Sequence, residues 1–143
     1  MDTRRLLLGA VALLALIVAA GRFRWSSLPA GRVEVSGTVY LDGTPLEGAA
    51  GTVVMGQEGD RGTVVAGRID ARGRYRVDTI HEGDGIAPGR YRVAVNAYRP
   101  GAAPGDAAAE SVVPKKYEDA AKSGLTVEVT EERRQTIDLR LSK

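Results

Sequence analysis

The sequence predicts an all-β domain, a β-sandwich of seven short strands, preceded by an apolar N-terminal segment that is an export signal or an anchor helix. Three observations carry this. From Val33 onward apolar residues recur at alternate positions in short runs. Gly, Pro and Asp separate those runs at the spacing of tight turns. Positions 6–20 form one uninterrupted apolar stretch behind two arginines.

Arg4 and Arg5 precede the run from Leu6 to Ala20, and a short basic region before such a run is the form of a secretory signal. As a helix the run would be about 22 Å long, short of the roughly 30 Å hydrocarbon core of a bilayer. Val18-Ala19-Ala20 supplies small residues for a cut before Gly21. Gly21, Phe23 and Trp25 could instead extend the span into an uncleaved anchor, with Trp25 suited to the interface and Arg22 and Arg24 opposing the usual charge asymmetry. The sequence leaves both fates of residues 1–21 open. Thr3-Arg4-Arg5-Leu6-Leu7-Leu8 is also similar to a twin-arginine signal, but nothing in the chain suggests the cofactor such a route usually serves. In every case the rest of the chain is expected outside the cytoplasmic membrane, in the periplasm or at the cell surface, held to the membrane if the segment stays uncleaved.

Residues 22–32 read as a linker, and 33–143 as the domain. Val33, Val35, Gly37, Val39 and Leu41 alternate with Glu34, Ser36, Thr38 and Tyr40, the pattern of a half-buried strand. Asp42-Gly43 is a turn, after which Leu46 can reach back onto the core. The next strands are expected at Gly51–Met55, Thr63–Ile69, Tyr75–Asp78, Arg90–Ala97, Leu125–Val129 and Thr136–Leu141. Gly56, Gly59 and Gly62 have the wrong spacing for a phosphate loop and fit a hairpin tip with Asp60. One pentapeptide occurs twice, Gly73-Arg74-Tyr75-Arg76-Val77 and Gly89-Arg90-Tyr91-Arg92-Val93. It reads as two strand starts under one constraint: glycine turns, Tyr and Val point inward, and both arginines point out. Tyr75 and Tyr91 are then core anchors whose hydroxyls need a backbone partner. Residues 99–124 form a long irregular connection, low in complexity at first and then carrying Val112, Val113, Pro114 and Tyr117, which suit a docked segment. Only Lys115 to Lys122 has helical character, over about two turns.

Composition excludes much chemistry. The 143 residues leave room for one ordinary domain, 43% hydrophobic and 27% charged, as in a globular protein. A formal charge of +2 argues against dedicated nucleic-acid binding. The absence of cysteine removes disulfides, thiolate catalysis, cysteine-ligated zinc and cysteine-borne lipid, and the single His81 removes histidine pairs. There is no GxSxG, P-loop or dinucleotide fingerprint, and no cofactor is implied.

Val35-Ser36-Gly37-Thr38-Val39-Tyr40-Leu41-Asp42-Gly43-Thr44-Pro45-Leu46-Glu47-Gly48-Ala49 resembles the opening of a carboxypeptidase regulatory-like domain of the transthyretin-like superfamily. Asp70-Ala71-Arg72-Gly73-Arg74-Tyr75 and Pro88-Gly89-Arg90-Tyr91-Arg92-Val93 resemble its later strand starts. Val113 to Tyr117 and Ser123 to Val129 are similar to a subgroup of exported planctomycete proteins. The resemblance spans roughly Val33 to Leu141 and implies a transthyretin-like or immunoglobulin-like sandwich. It implies an accessory module of the envelope with no defined activity. A lipid anchor common in that subgroup is not available, because Arg22 follows Ala19-Ala20-Gly21 where a cysteine would stand. The superfamily also includes a hydrolase of a uric-acid metabolite that depends on histidines and a C-terminal tetrapeptide; this chain has only His81 and ends Leu139-Arg140-Leu141-Ser142-Lys143.

Three function classes follow. The first is a non-catalytic module, structural or protein-binding, with an envelope protein or polysaccharide as partner. The second is a carbohydrate or polyanion binder using Arg74, Arg76, Arg90 and Arg92, which would share one outer sheet face if their strands lie close. Against it stands a solvated face with interleaved acids, in a chain where arginine is the usual base. The third is an enzyme, which would need a facing carboxylate pair; Asp70 and Asp78 are the nearest candidates, though both sit where turns favour Asp. His81, Glu82 and Asp84 contain metal-ligating groups but lack the regular spacing of a calcium loop, and a solvated turn explains them.

Overall fold

Alternation in Glu34–Leu41 (β1) becomes a strand that buries Val35, Gly37 and Val39 on one face and turns Ser36, Thr38 and Tyr40 away from it. The computed structural model describes residues 28–99 and 110–143; the expected signal or anchor, most of the linker and the first part of the long connection lie outside the described residues. Asp42 and Gly43 both take positive φ, 50° and 82°, as a tight hairpin turn requires. They return the chain as Thr44–Pro45 (β2), and buried Leu46 donates its amide to Val39. Then follow Ala50–Gln57 (β3), Val64–Ile69 (β4), Arg74–Val77 (β5), Gly89–Tyr98 (β6), Thr126–Val129 (β7), Arg134–Thr136 (β8) and Leu139–Leu141 (β9). The protein is all-β among its described residues, apart from one 3₁₀ turn.

The strands form one sheet in the order β2-β1-β5-β4-β3-β6-β7, antiparallel along this path. β8 and β9 run parallel to β1 on its other edge, since Val35 pairs with both Val77 and Gln135. Inward residues from strands at both ends of this order, Val39 and Leu141 as well as Val93 and Val129, belong to one core. A sheet whose single face supplies opposite walls of one core must curl around it.

Every strand expected from the sequence forms, but the last is divided. Ile137 and Asp138 leave the ladder between β8 and β9. The Ile137 amide donates to the Ser36 carbonyl at 2.7 Å, and the Asp138 carboxylate accepts the Thr38 amide at 2.9 Å. The Ile137 carbonyl lies directly over Gly37, where an added Cβ would overlap it. Both tyrosines of the repeated pentapeptide are core anchors as expected. The Tyr75 hydroxyl donates to that same Ile137 carbonyl at 2.6 Å, and Tyr91 donates to Ala87 at 2.7 Å.

The end of the long connection docks on the free upper half of β6. Val112 donates its amide to Ala97 at 2.9 Å, and the Ser123 hydroxyl donates to the Val93 carbonyl at 2.5 Å. The helical stretch expected over Lys115–Lys122 is only a 3₁₀ turn, Lys115–Glu118. Its extension stops because Asp119 is extended and its carboxylate accepts the Ala121 amide at 2.8 Å, a local bond that competes with the helix. Tyr117, buried on this turn, donates to the Ser142 carbonyl at 3.2 Å and accepts the Ser142 amide at 3.0 Å.

Candidate functional site on the outer face of β4 and β5

Hairpin geometry places the outward residues. Asp70 accepts the amides of Arg72 and Arg74 at 2.8 and 3.0 Å, closing the turn in which Gly73 has φ 78°. The turn sets Ile69 opposite Tyr75, both inward. Period-two alternation then puts Arg68 opposite Arg76 on the outer face. Like charges directly opposite across a ladder cost stability.

The four arginines singled out in the sequence do not form one cluster. Arg74 and Arg76 lie on β5, Arg90 and Arg92 on β6, and β4 and β3 stand between them. Three strand spacings amount to about 14 Å along the sheet. The pentapeptide repeats because both segments begin strands after a glycine, which does not make those strands neighbours. All four side chains point outward, and each meets a carboxylate. Arg74 pairs with Asp70 at 3.2 Å, and Arg76 lies 3.5 Å from Asp78 and 4.0 Å from Glu34. Arg90 and Arg92 share Glu58, at 3.8 and 2.9 Å. Exposed pairs of this kind contribute little to stability, but they spread the positive charge.

Asp70 and Asp78 stand at opposite ends of β5, about 13 Å apart at the rise of a strand. Backbone donation from Arg74 holds the Asp70 carboxyl below its usual range. Asp78 accepts the Gly83 and Gly85 amides, both at 3.1 Å, through one oxygen while the other faces Arg76. It therefore clamps the loop after β5. Thr79 donates to Gly85 at 2.5 Å and accepts Arg32 at 2.7 Å, and Asp84 accepts the His81 amide at 3.0 Å. Asp78 and Asp84 thus serve the turns of this loop. Among the described residues no three His, Asp or Glu side chains gather as a metal site would require.

Beside this loop an open cleft of about 420 Å³ is lined by Ala66, Arg68, Arg76, Asp78, Ile80, His81 and Glu82 among others. Arg68 makes no ion pair among the described residues. Ile80 is 80% exposed and Val64, on the same outer side of β4 as Ala66, is 58% exposed. Neither Arg68 nor this apolar pair was singled out in the sequence. Arg68 was within reach there, because the Asp70–Gly73 turn fixes the hairpin register; the exposure of Ile80 in the loop after β5 has no signal in the alternation. The chain matches no protein-family model and no curated protein. Chemically, the face offers one guanidinium open to an oxyanion, next to a small apolar surface.

Proposed function

We propose that this protein is an exported, non-catalytic module of the cell envelope, structural or protein-binding, with a carboxypeptidase regulatory-like sandwich held outside the membrane by residues 1–21 or released from it. The curled sheet around one core is compatible with such a sandwich. The observation that carries the non-catalytic reading is the use already made of Asp70 and Asp78, which stand at opposite ends of β5 with their oxygens committed to turns and to Arg74 and Arg76. A general acid and base must instead face one substrate across a cleft.

Polyanion binding through Arg74, Arg76, Arg90 and Arg92 is the second reading, favoured by Glu58 alone serving both Arg90 and Arg92. Cross-linking of the full chain in its native envelope, beside binding of the purified chain to envelope polysaccharide at low and high salt, separates the two. A discrete protein cross-link with no salt-sensitive polysaccharide binding is expected. Saturable polysaccharide binding that weakens with salt and disappears when the four arginines become serine would replace the module reading with the second.

A further inference from the structure

We propose that the hollow beside Leu28 and Pro88 seats the indole of Trp25, so that the linker straps itself to the domain before the chain reaches the apolar segment. The inference concerns how the domain is held and is independent of what it binds. The described chain starts at this hollow, which measures about 770 Å³ and is lined by Leu28, Pro29, Val33, Pro88, Glu131 and Arg133 among others. Its entry is already fastened. The Arg32 amide donates to the Pro29 carbonyl at 3.1 Å, and the Arg32 guanidinium donates to the Thr79 hydroxyl at 2.7 Å. Leu28 packs over Gly85, where an added Cβ would meet its Cδ2 at 2.9 Å. Residues upstream of Leu28 therefore leave from the wall of the hollow.

Chemistry selects the occupant. Trp25 is the single tryptophan of the chain, and three residues reach at most about 11 Å. In an extended segment Phe23 and Trp25 share one side, with Arg22 and Arg24 on the other. Leu28, Pro29 and Pro88 offer apolar contact to an indole. Arg133 has no ion pair among the described residues and can stack on the ring, while Glu131, also without one, can accept the indole N–H. Arg22 and Arg24 complement Glu131 and Glu132, and those two carboxylates oppose an anionic lipid headgroup in the same place. With Trp25 seated, the five residues back to Ala20 span at most about 18 Å. An uncleaved anchor would then hold this end of the domain close to the membrane.

The test uses the isotope-labelled full chain in nanodiscs of zwitterionic lipid. Nuclear Overhauser contacts between the Trp25 indole and Pro88, far apart in sequence, are expected. The emission, which comes from one tryptophan, should be blue-shifted and poorly quenched by acrylamide. Arg133→Ser should lower the ratio of seated to free indole by about two- to fivefold, as loss of a cation–π contact at an exposed site does. Arg133 is exposed, and unchanged amide signals across β1 to β9 would confirm that this variant stays folded. Trp25→Ser should in turn shift the amide signals of Glu131 and Arg133. Absence of the Trp25–Pro88 contact, equal acrylamide quenching in Arg133→Ser, or quenching by lipids brominated along their acyl chains, which places the indole in the bilayer, would each overturn the proposal. None of these outcomes touches the module reading, which stands on Asp70 and Asp78.

Discussion

The Ile137 carbonyl joins two residue choices that are far apart in the sequence. Gly37 leaves room for it, and Tyr75 supplies its hydrogen bond. Gly37→Ala would drive a methyl into that backbone, so the strand crossing must shift; a loss of about 2–3 kcal/mol in denaturant unfolding is expected. Tyr75→Phe keeps the packing but leaves a part-buried carbonyl without its donor, for an expected loss of about 1–3 kcal/mol. The two positions differ in pH response. Burial first, and the charge of Asp138 second, push the Tyr75 phenol well above its free value of 10.0. Burial also raises Tyr91. A group whose folded pKa lies above its unfolded value favours the folded state fully below the unfolded value, and that contribution is lost as pH climbs past it. Stability should therefore fall above about pH 10 as the unfolded tyrosines ionise. In Tyr75→Phe that alkaline fall should be shallower, and an unchanged slope would show that Tyr75 is not its source. The inward tyrosine and glycine were legible in the alternation; the carbonyl that requires both was not, because it comes from 62 residues beyond Tyr75.

Among the elements, the strands follow the sequence more closely than the connections do. Alternation and Gly, Asp and Pro turns report local backbone, and they place all seven expected strands, including the reach of Leu46 to Val39. The helical stretch expected over Lys115–Lys122 shortens to a 3₁₀ turn because helix propensity takes no account of the Asp119 side chain bonding its own turn. Alternation turns the arginines of both pentapeptides outward, but sheet order is a non-local property, and β3 and β4 intervene. The loop after β5 shows what a carboxylate does in such a connection. Asp78→Ala removes the acceptor of two glycine amides and a partner of Arg76. Hydrogen exchange at Gly83 and Gly85 should accelerate by at least about tenfold, from the loss of bonds to a charged group. Amides of β3 and β6 should keep their protection. Loss of protection throughout the sheet would mean that this loop is part of the global folding unit rather than a local clamp.

At the scale of the whole molecule, the C-terminal strand decides whether the curled sheet holds. β1 is built early in the chain, yet its second edge is filled by residues about 100 positions later, where Glu34 meets Arg134 and Val39 meets Leu139. Contacts of such long separation make folding slow relative to local structure, because the loop must close before they form. They also put much of the stability at the end of the chain. Leu139 and Leu141 are 2% and 3% exposed, and burial of each contributes about 1.5–3 kcal/mol. Ser142 adds the partner of Tyr117, and so holds the docked connection to the same end of the sheet. Deleting residues 139–143 therefore removes about 3–6 kcal/mol of apolar burial from a domain whose class is stable by only about 5–15 kcal/mol. The shortened chain should show either no cooperative thermal transition or one lowered by more than about 15 °C, followed by far-ultraviolet circular dichroism. Tyr117→Phe in the full-length chain isolates the smaller contribution: it should lower the midpoint by a few degrees, about 1 kcal/mol, and leave the transition cooperative. If the shortened chain melted within a few degrees of the intact one, β5, β2 and β8 would suffice to hold β1. The parallel strand would then be an ornament on the sheet rather than the element that closes its edge.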